Sequence, residues 1–95
     1  MTRIRCRISR KGYSVVSAGH AGSEQTCTAI SAIIGALAGY ADNNSGRFTL
    51  GKGDAMVFLP KTEGADGAVD MTIIGLLQIQ KQAPDDLTVE IISEE

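Results

Sequence analysis

Residues 2–9 read Thr-Arg-Ile-Arg-Cys-Arg-Ile-Ser, and this stretch decides the fold class. Positions 3, 5 and 7 carry arginine, whereas positions 4, 6 and 8 carry Ile, Cys and Ile. A period of two, with one charged and one apolar side, predicts a strand that is buried on one face only. Arg10-Lys11-Gly12 then predicts a turn, and residues 13–17 predict the second strand of a hairpin.

Beyond the hairpin, the apolar period changes to that of a helix. Apolar residues recur at i, i+3, i+7, i+10 and i+14, which predicts one buried stripe on a helix from residue 26 onward. Ser23 or Thr26 is the predicted N-cap, and the polar run 42–46 ends the helix. Gly35 and Gly39 cost helix stability, so we expect them to allow close approach of another element. The stripe consists of Cys27, Ile30, Ile34, Leu37 and Ala41.

The rest of the chain predicts two more strands, a second helix and a final strand. The elements are strands over 47–50 and 55–59 joined by a hairpin turn at 51–54, a polar loop over 61–67 that contains Gly64 and Gly67, a helix over 68–82 capped by Asp66 and stopped by Pro84, and a strand over 87–92. The second helix is expected to be deeply packed through Val69, Ile73, Leu76, Leu77 and Ile79. The order ββαββαβ predicts an α+β fold, with two helices packed on a mostly antiparallel sheet.

Composition narrows the function classes. The chain has 95 residues, 43% of them hydrophobic and 21% charged, which is typical of one globular domain over residues 1–95. A net charge of −2 and an aromatic content of 4% argue against a nucleic-acid partner. No apolar stretch is long enough to span a bilayer, so we expect a cytoplasmic protein with no membrane partner. Five acidic residues among the last eleven would balance the first-strand arginines if the two strands are neighbours.

The two cysteines have different expected roles. Two cysteines are too few for a disulfide scaffold, and with one histidine they lack metal-ligand spacing, so no metal or cofactor is expected. Cys6 alternates with apolar neighbours in the first strand and is expected to be a small core residue. Cys27 lies in the first turn of a predicted helix, seven residues after His20. The loop between them is long enough to bring the two side chains together.

A histidine beside a helix-start cysteine is suited to nucleophilic catalysis. The thiolate is the nucleophile, and a helix N-terminus and a neighbouring imidazolium both favour that form of a cysteine. Backbone N–H groups around Thr28 would then hold the oxyanion of a tetrahedral intermediate. The alternative is structural, because cysteine is often buried and Cys27 falls on the apolar stripe of its own helix. Gly51-Lys52-Gly53-Asp54 lacks the spacing of a phosphate-binding loop and is expected to be only a turn.

Two short motifs resemble a known family. Gly19-His20-Ala21, followed by Cys27-Thr28-Ala29-Ile30-Ser31, resembles the G-H-A and C-A-[AS]-[VI]-S signature of the ribosomal-processing cysteine proteases, the Prp family, which includes phage-encoded relatives. The likeness extends to the element order, with an initial hairpin, a cysteine at the start of the first helix, and a long helix, a proline and a short strand at the end.

The resemblance implies a function and a set of site residues. It implies a cysteine endopeptidase of narrow specificity that removes an N-terminal extension from a large-subunit ribosomal protein, or cuts a phage capsid or scaffold precursor. His20 and Cys27 match the catalytic pair of that family. Contacts with the substrate peptide are expected at the neighbouring residues Gly19, Ala21, Gly22, Thr28 and Ser31. A homodimer is also implied, and Gly35, Gly39 and the apolar second helix offer surface for one.

Two departures from the family pattern concern the loop and the residue after the cysteine. Thr28 stands where alanine is usual, and the loop between His20 and Cys27 is short, with Glu24 three residues before the cysteine where an aspartate is common. Two other functions therefore remain open at this point. One is a non-catalytic homodimeric binding module with an incidental Cys-His pair, and the other is a redox switch at Cys27.

Overall fold

A computed structural model describes residues 1–94, and it consists of one sheet with two helices on one of its faces. The element order is ββαββαβ, so the predicted α+β class is confirmed. The elements are β1 (Thr2–Ile8), β2 (Gly12–Ala18), α1 (Glu24–Asn43), β3 (Arg47–Gly51), β4 (Asp54–Pro60), α2 (Glu63–Gln82) and β5 (Leu87–Ser93). The side chains buried between the sheet and the helices form one hydrophobic core.

The sheet has the strand order β3-β4-β2-β1-β5. Three of its four strand pairs are antiparallel, as expected for hairpins, whereas β1 and β5 are parallel, with Thr2 opposite Leu87. The predicted proximity of basic and acidic residues is confirmed at this pair. The Nε atom of Arg5 lies 3.3 Å from a carboxylate oxygen of Glu90, and this ion pair adds little stability because both side chains are exposed.

Strand β1 has the two faces that its alternation predicts. Ile4 and Cys6 are 2% and 1% exposed and face the helices, while the arginines face solvent on the other side. A buried strand face of this kind fixes the register, because a slip by one residue would bury the arginines.

Helix α1 begins at Glu24, two residues before the predicted start at residue 26. Ser23 is the N-cap, and its hydroxyl accepts a hydrogen bond from the backbone N–H of Thr26. Thr26 is turned towards the core, whereas Cys27 is partly exposed. The prediction that Cys27 belongs to the buried stripe is therefore wrong at that residue, because the cap places Thr26 there instead.

Helix α2 begins at Glu63, five residues earlier than predicted, and its N-cap is Thr62 rather than Asp66. The Thr62 hydroxyl accepts from the N–H of Ala65, and this cap outweighs the helix cost of the glycines that suggested a loop. Asp66 instead accepts hydrogen bonds from the Tyr13 hydroxyl and the Lys61 ammonium. Those two donors hold the pKa of the Asp66 carboxyl below its usual range, with Lys61 the larger cause.

The outer side of α2 is less buried than its apolar pattern predicts. Leu77 was expected in the core, yet it is 38% exposed, and Ile74 and Met71 are 55% and 71% exposed. One helix can turn only one stripe to a sheet, so the additional apolar side chains of a broad face remain at the surface. Within residues 1–94, the structure contains no helix of the length and apolarity needed to cross a membrane.

Candidate functional site

His20 lies in the loop that leaves β2, and a backbone contact with the β3–β4 turn fixes the start of this loop. The N–H of Gly19 donates to the carbonyl of Gly53 over 2.7 Å. Gly19 has a φ of 91°, and a Cβ at this position would collide with the carbonyl oxygen of Met1. Only glycine satisfies both conditions without strain, so this residue sets the direction in which the chain enters His20.

The imidazole of His20 packs against the β3–β4 turn. A Cβ built on Gly53 would lie 2.5 Å from the His20 Nε2 atom, so the ring rests directly on the glycine backbone. Gly53 has a φ of 76°, as a tight hairpin turn requires. The segment 51–54 is a turn, as predicted, but it also forms part of the surroundings of His20.

Cys27 is the fourth residue of α1, at the end of the helix where backbone N–H groups lack intrahelical partners. Its own N–H donates to the Ser23 carbonyl over 3.0 Å. The Cys27 thiol donates to the Ala21 carbonyl, with 3.6 Å between sulfur and oxygen. The side chain is therefore held beside the loop that carries His20 and is accessible to solvent.

His20 and Cys27 line one cavity of about 300 Å³ at the end of the sheet where α1 begins. Two further residues expected at the site, Gly19 and Ser31, line it as well. Ala21, Gly22 and Thr28 are not among its lining residues, so the structure brings together only part of the predicted set. A thiol and an imidazole that line one open cavity are the two kinds of side chain that acyl transfer by a cysteine requires.

The cavity has walls that the sequence motifs do not indicate. Its apolar side is formed by Ile30 and Ile34 of α1 and by Leu50 of β3, while Lys52 and Asp54 come from the β3–β4 turn. The turn reaches the site because β4 pairs with β2, so that Asp54 lies opposite Ala18, two residues before His20. Only the strand order could have identified Leu50, Lys52 and Asp54, because these three residues lie far from both motifs, whereas Ile30 belongs to the second motif.

The second thiol lies outside this site. Cys6 is in the core, where burial raises the pKa of its thiol from 9.0 to about 11. A buried neutral thiol is chemically inert, which agrees with the structural role predicted for this residue.

Comparison with known proteins finds similarity at the level of structure. No protein-family model matches the chain, and no curated protein matches it significantly. A solved structure of SMU.848 from Streptococcus mutans matches with a TM-score of 0.77 and 16% identity, over 99% of each chain. The ribosomal processing protease Prp from S. aureus, in complex with a covalently linked product peptide, matches with a TM-score of 0.75 and 16% identity, over 96% of this chain and 99% of that one.

A second structure of the S. aureus protease, in complex with a substrate peptide, matches with a TM-score of 0.70 and 15% identity. It covers 96% of this chain and 99% of that one. The agreement in fold extends over nearly the full length of both chains. The chain therefore has the fold of the ribosomal processing protease Prp.

Proposed function

We propose that the chain is a cysteine endopeptidase in which Cys27 is the nucleophile and His20 is the general base and acid. The observation that carries the proposal is the shared cavity, because the chain's one histidine and its partly exposed cysteine both line it. The likeness in fold to a processing protease supports the same assignment. Neither residue is needed by the core, since His20 is exposed and Cys27 partly so.

The proposed reaction proceeds through a thioester. His20 takes the proton of the Cys27 thiol, and the sulfur attacks the scissile carbonyl carbon of the peptide. The carbon–nitrogen bond breaks as the imidazolium protonates the leaving amine. Water then hydrolyses the thioester, with His20 as base, and this step releases the carboxyl product and restores the thiol.

The oxyanion donors are better sought at the first two residues of α1 than at Thr28. Thr28 lies inside the helix, where its N–H faces the carbonyl four residues back. The N–H of Cys27 is already bonded to Ser23. The N–H of Thr26 donates to the hydroxyl of the N-cap Ser23, whereas the N–H groups of Glu24 and Gln25 precede the first helix bond, and these donors suit a developing oxyanion.

The proposed substrate is the N-terminal extension of a large-subunit ribosomal protein, or a phage capsid or scaffold precursor, met in the cytoplasm. Solved structures of similar fold contain a substrate or product peptide, which supports a peptide substrate. The apolar wall of Ile30, Ile34 and Leu50 favours an apolar side chain next to the scissile bond.

Mass spectrometry of a peptide assay tests the proposal. The peptides carry the N-terminal arm of the host ribosomal protein or of a neighbouring phage capsid precursor, and Cys27→Ala is the control. One cut that is absent with Cys27→Ala supports the protease and identifies its substrate. Cleavage that persists with a folded Cys27→Ala protein overturns the mechanism. If no peptide is cut and Cys27 does not react with alkylating agents, the non-catalytic binding module becomes the better account.

We also propose that a second copy of the chain covers the exposed side of α2. Met71, Ile74 and Leu77 expose apolar surface there, and Met71 borders a groove of about 290 Å³ between α1 and α2. A Cβ built on Gly35 or Gly39 would meet no atom of residues 1–94 within 4 Å, so neither glycine packs closely against a described element, and Gly35 borders the cavity. Sedimentation is expected to show a dimer that Ile74→Glu dissociates, and a 10.0 kDa species alone for the unmodified chain would contradict this.

A further inference from the structure

Asp86, at the turn between α2 and β5, touches the loop that connects His20 to the helix of Cys27. Its Oδ1 atom accepts a hydrogen bond from the backbone N–H of Gly22 over 3.3 Å. A Cβ on Gly22 would lie 3.0 Å from the same oxygen, so the carboxylate lies close against the loop. No sequence motif connects Asp86 with Gly22, because they are distant in the chain.

The backbone of Asp86 is itself anchored on both sides. Its N–H donates to the Ala83 carbonyl over 3.0 Å, at the end of α2. Its carbonyl accepts from the N–H of Thr2 over 2.9 Å, at the start of β1. The carboxylate therefore extends from a fixed position of the sheet and can hold a loop in place.

One rigid peptide unit connects this contact to Cys27. The N–H of Gly22 and the C=O of Ala21 belong to the same planar trans peptide, so they point in opposite directions. The N–H points to Asp86, and the C=O accepts the hydrogen bond of the Cys27 thiol. If this peptide rotated, its carbonyl would leave the sulfur as its N–H left the carboxylate.

We infer that Asp86 is a positioning residue that acts on Cys27 through the Ala21–Gly22 peptide. The inference rests on the proposed function and adds the element that orients the nucleophile. Asp86 is distinct from the residues that line the cavity and does not take part in the proton transfers. The Asp86 carboxylate accepts the hydrogen bond of the Ala21–Gly22 peptide, and the carbonyl of this peptide accepts the hydrogen bond of the Cys27 thiol. Together the two bonds keep the sulfur directed at the cavity.

The test compares Asp86→Ala, Asp86→Asn and a control, Asp85→Ala, each in the full chain. Asp85 is the exposed neighbour, so its removal changes the net charge equally and leaves the Gly22 contact in place. The amide oxygen of Asn accepts the same hydrogen bond, so Asp86→Asn is expected to behave as the unmodified protein. Circular dichroism establishes that each variant is folded.

Two readouts are measured, the steady-state cleavage of the substrate peptide and the rate at which iodoacetamide modifies Cys27. For Asp86→Ala we expect kcat to fall by about fivefold to tenfold with KM unchanged, because a single orienting hydrogen bond is lost. The alkylation of Cys27 is expected to become about threefold faster, because the thiol loses its acceptor and the loop covers it less. A merely structural role would lower thermal stability without moving these two rates in opposite directions.

We call the two hydrogen bonds, from Gly22 to Asp86 and from Cys27 to Ala21, the clamp. The alkylation rate tests the clamp even if no peptide is cleaved, so a failure of the proposed protease is distinguishable from a failure of the clamp. Faster alkylation with Asp86→Ala, together with unchanged rates for Asp86→Asn and Asp85→Ala, supports the clamp. Equal alkylation rates in all four proteins overturn it. An effect of Asp86→Asn as large as that of Asp86→Ala also overturns it, because charge rather than the hydrogen bond would then be responsible.

Discussion

Cys6 and Cys27 are chemically the same residue in opposite surroundings. Cys6 lies in the middle of β1 at 1% exposure, where burial raises the pKa of its thiol to about 11. Cys27 lies at the start of α1, partly exposed, beside a loop carbonyl and within a cavity shared with His20. Removal of the Cys6 sulfur is expected to affect stability, because this atom fills space in the core. Removal of the Cys27 sulfur is expected to affect the proposed reaction, because this atom faces the cavity.

The contrast between Cys6 and Cys27 follows from the secondary structure in which each cysteine lies. A strand of period two directs alternate side chains to the core, so the position of Cys6 leaves it no access to a substrate. The first turn of a helix presents its side chains around an end where N–H groups are unpaired, and Cys27 is next to that end. The predictions below test how completely the two roles are separated.

The largest expected effect comes from the same substitution at the two cysteines. Cys27→Ser is expected to lower kcat by at least about a thousandfold, because a serine hydroxyl ionises far less readily than a thiol, while stability changes little. Cys6→Ser is expected to keep kcat and to lower the free energy of unfolding by about 1–3 kcal/mol, because it buries a hydroxyl among apolar neighbours. Peptide cleavage and urea unfolding measure both properties, and loss of cleavage in a fully stable Cys6→Ser protein would contradict the separation.

A second contrast lies in the alkylation rates of the folded protein. At pH 8 we expect iodoacetamide to modify Cys27 at least about a hundredfold faster than Cys6, because Cys6 reacts only when the core opens. Isotope-coded reagent and peptide mapping give both rates from one sample. The contrast should disappear in denaturing urea, and a contrast that persists there would show that burial is not its cause.

The pH dependence of stability sharpens the role of Cys6. Burial raises the pKa of Cys6 from 9.0 to about 11, so the unfolded chain loses this proton at a lower pH than the folded one. The neutral Cys6 thiol therefore contributes to the free energy of unfolding in full below pH 9. This contribution is lost as the pH rises towards 11, and it amounts to up to about 2–3 kcal/mol. Urea unfolding between pH 8 and 11 should show this decline in the unmodified protein and in Cys27→Ala, but a smaller one in Cys6→Val. Identical slopes in all three would remove Cys6 as the cause.

The smallest of these effects is expected from a change at Gly53, the residue against which the His20 ring packs. Gly53→Ala places a methyl group against the His20 Nε2 atom, so we expect kcat/KM to fall by about tenfold. Gly53→Asn, which tolerates a positive φ better, should show the same loss of activity with a smaller loss of stability.

Gly67→Ala is the matched control for this displacement. Gly67 lies in α2, where a built Cβ meets nothing within 4 Å, so the substitution should stabilise the helix by about 0.5–1 kcal/mol and leave cleavage unchanged. Full activity of Gly53→Ala would show that the position of His20 does not depend on the turn.

The hairpins and the element order follow from local patterns, and these are what the sequence predicts well. The alternation in β1 and the stop at Pro84 depend on neighbouring residues, and the structure confirms both. The start of α2 was misplaced because Gly64 and Gly67 indicated a loop. The hydroxyl of Thr62 caps the helix regardless, and a Cβ at position 64 would collide with the Tyr40 hydroxyl, which accounts for that glycine.

The surroundings of the site could not be predicted in the same way. His20 and Cys27 belong to one continuous segment, so their motifs are visible in the sequence. Leu50 and Lys52 reach the cavity only because β4 pairs with β2, which is a long-range property. The contact of Asp86 with Gly22 depends on β5 lying beside β1 and has no sequence signal at all.

The parallel pairing of β1 with β5 has a consequence for how this protein is made. Strand β5 follows the other four strands of the sheet in sequence, yet it pairs with β1, so the sheet cannot be completed before residues 87–93 have been synthesised. The turn that holds Asp86 immediately precedes β5 and reaches the His20 loop only when that strand docks. A nascent chain that stops short of β5 therefore carries both proposed catalytic residues without the strand that completes their surroundings.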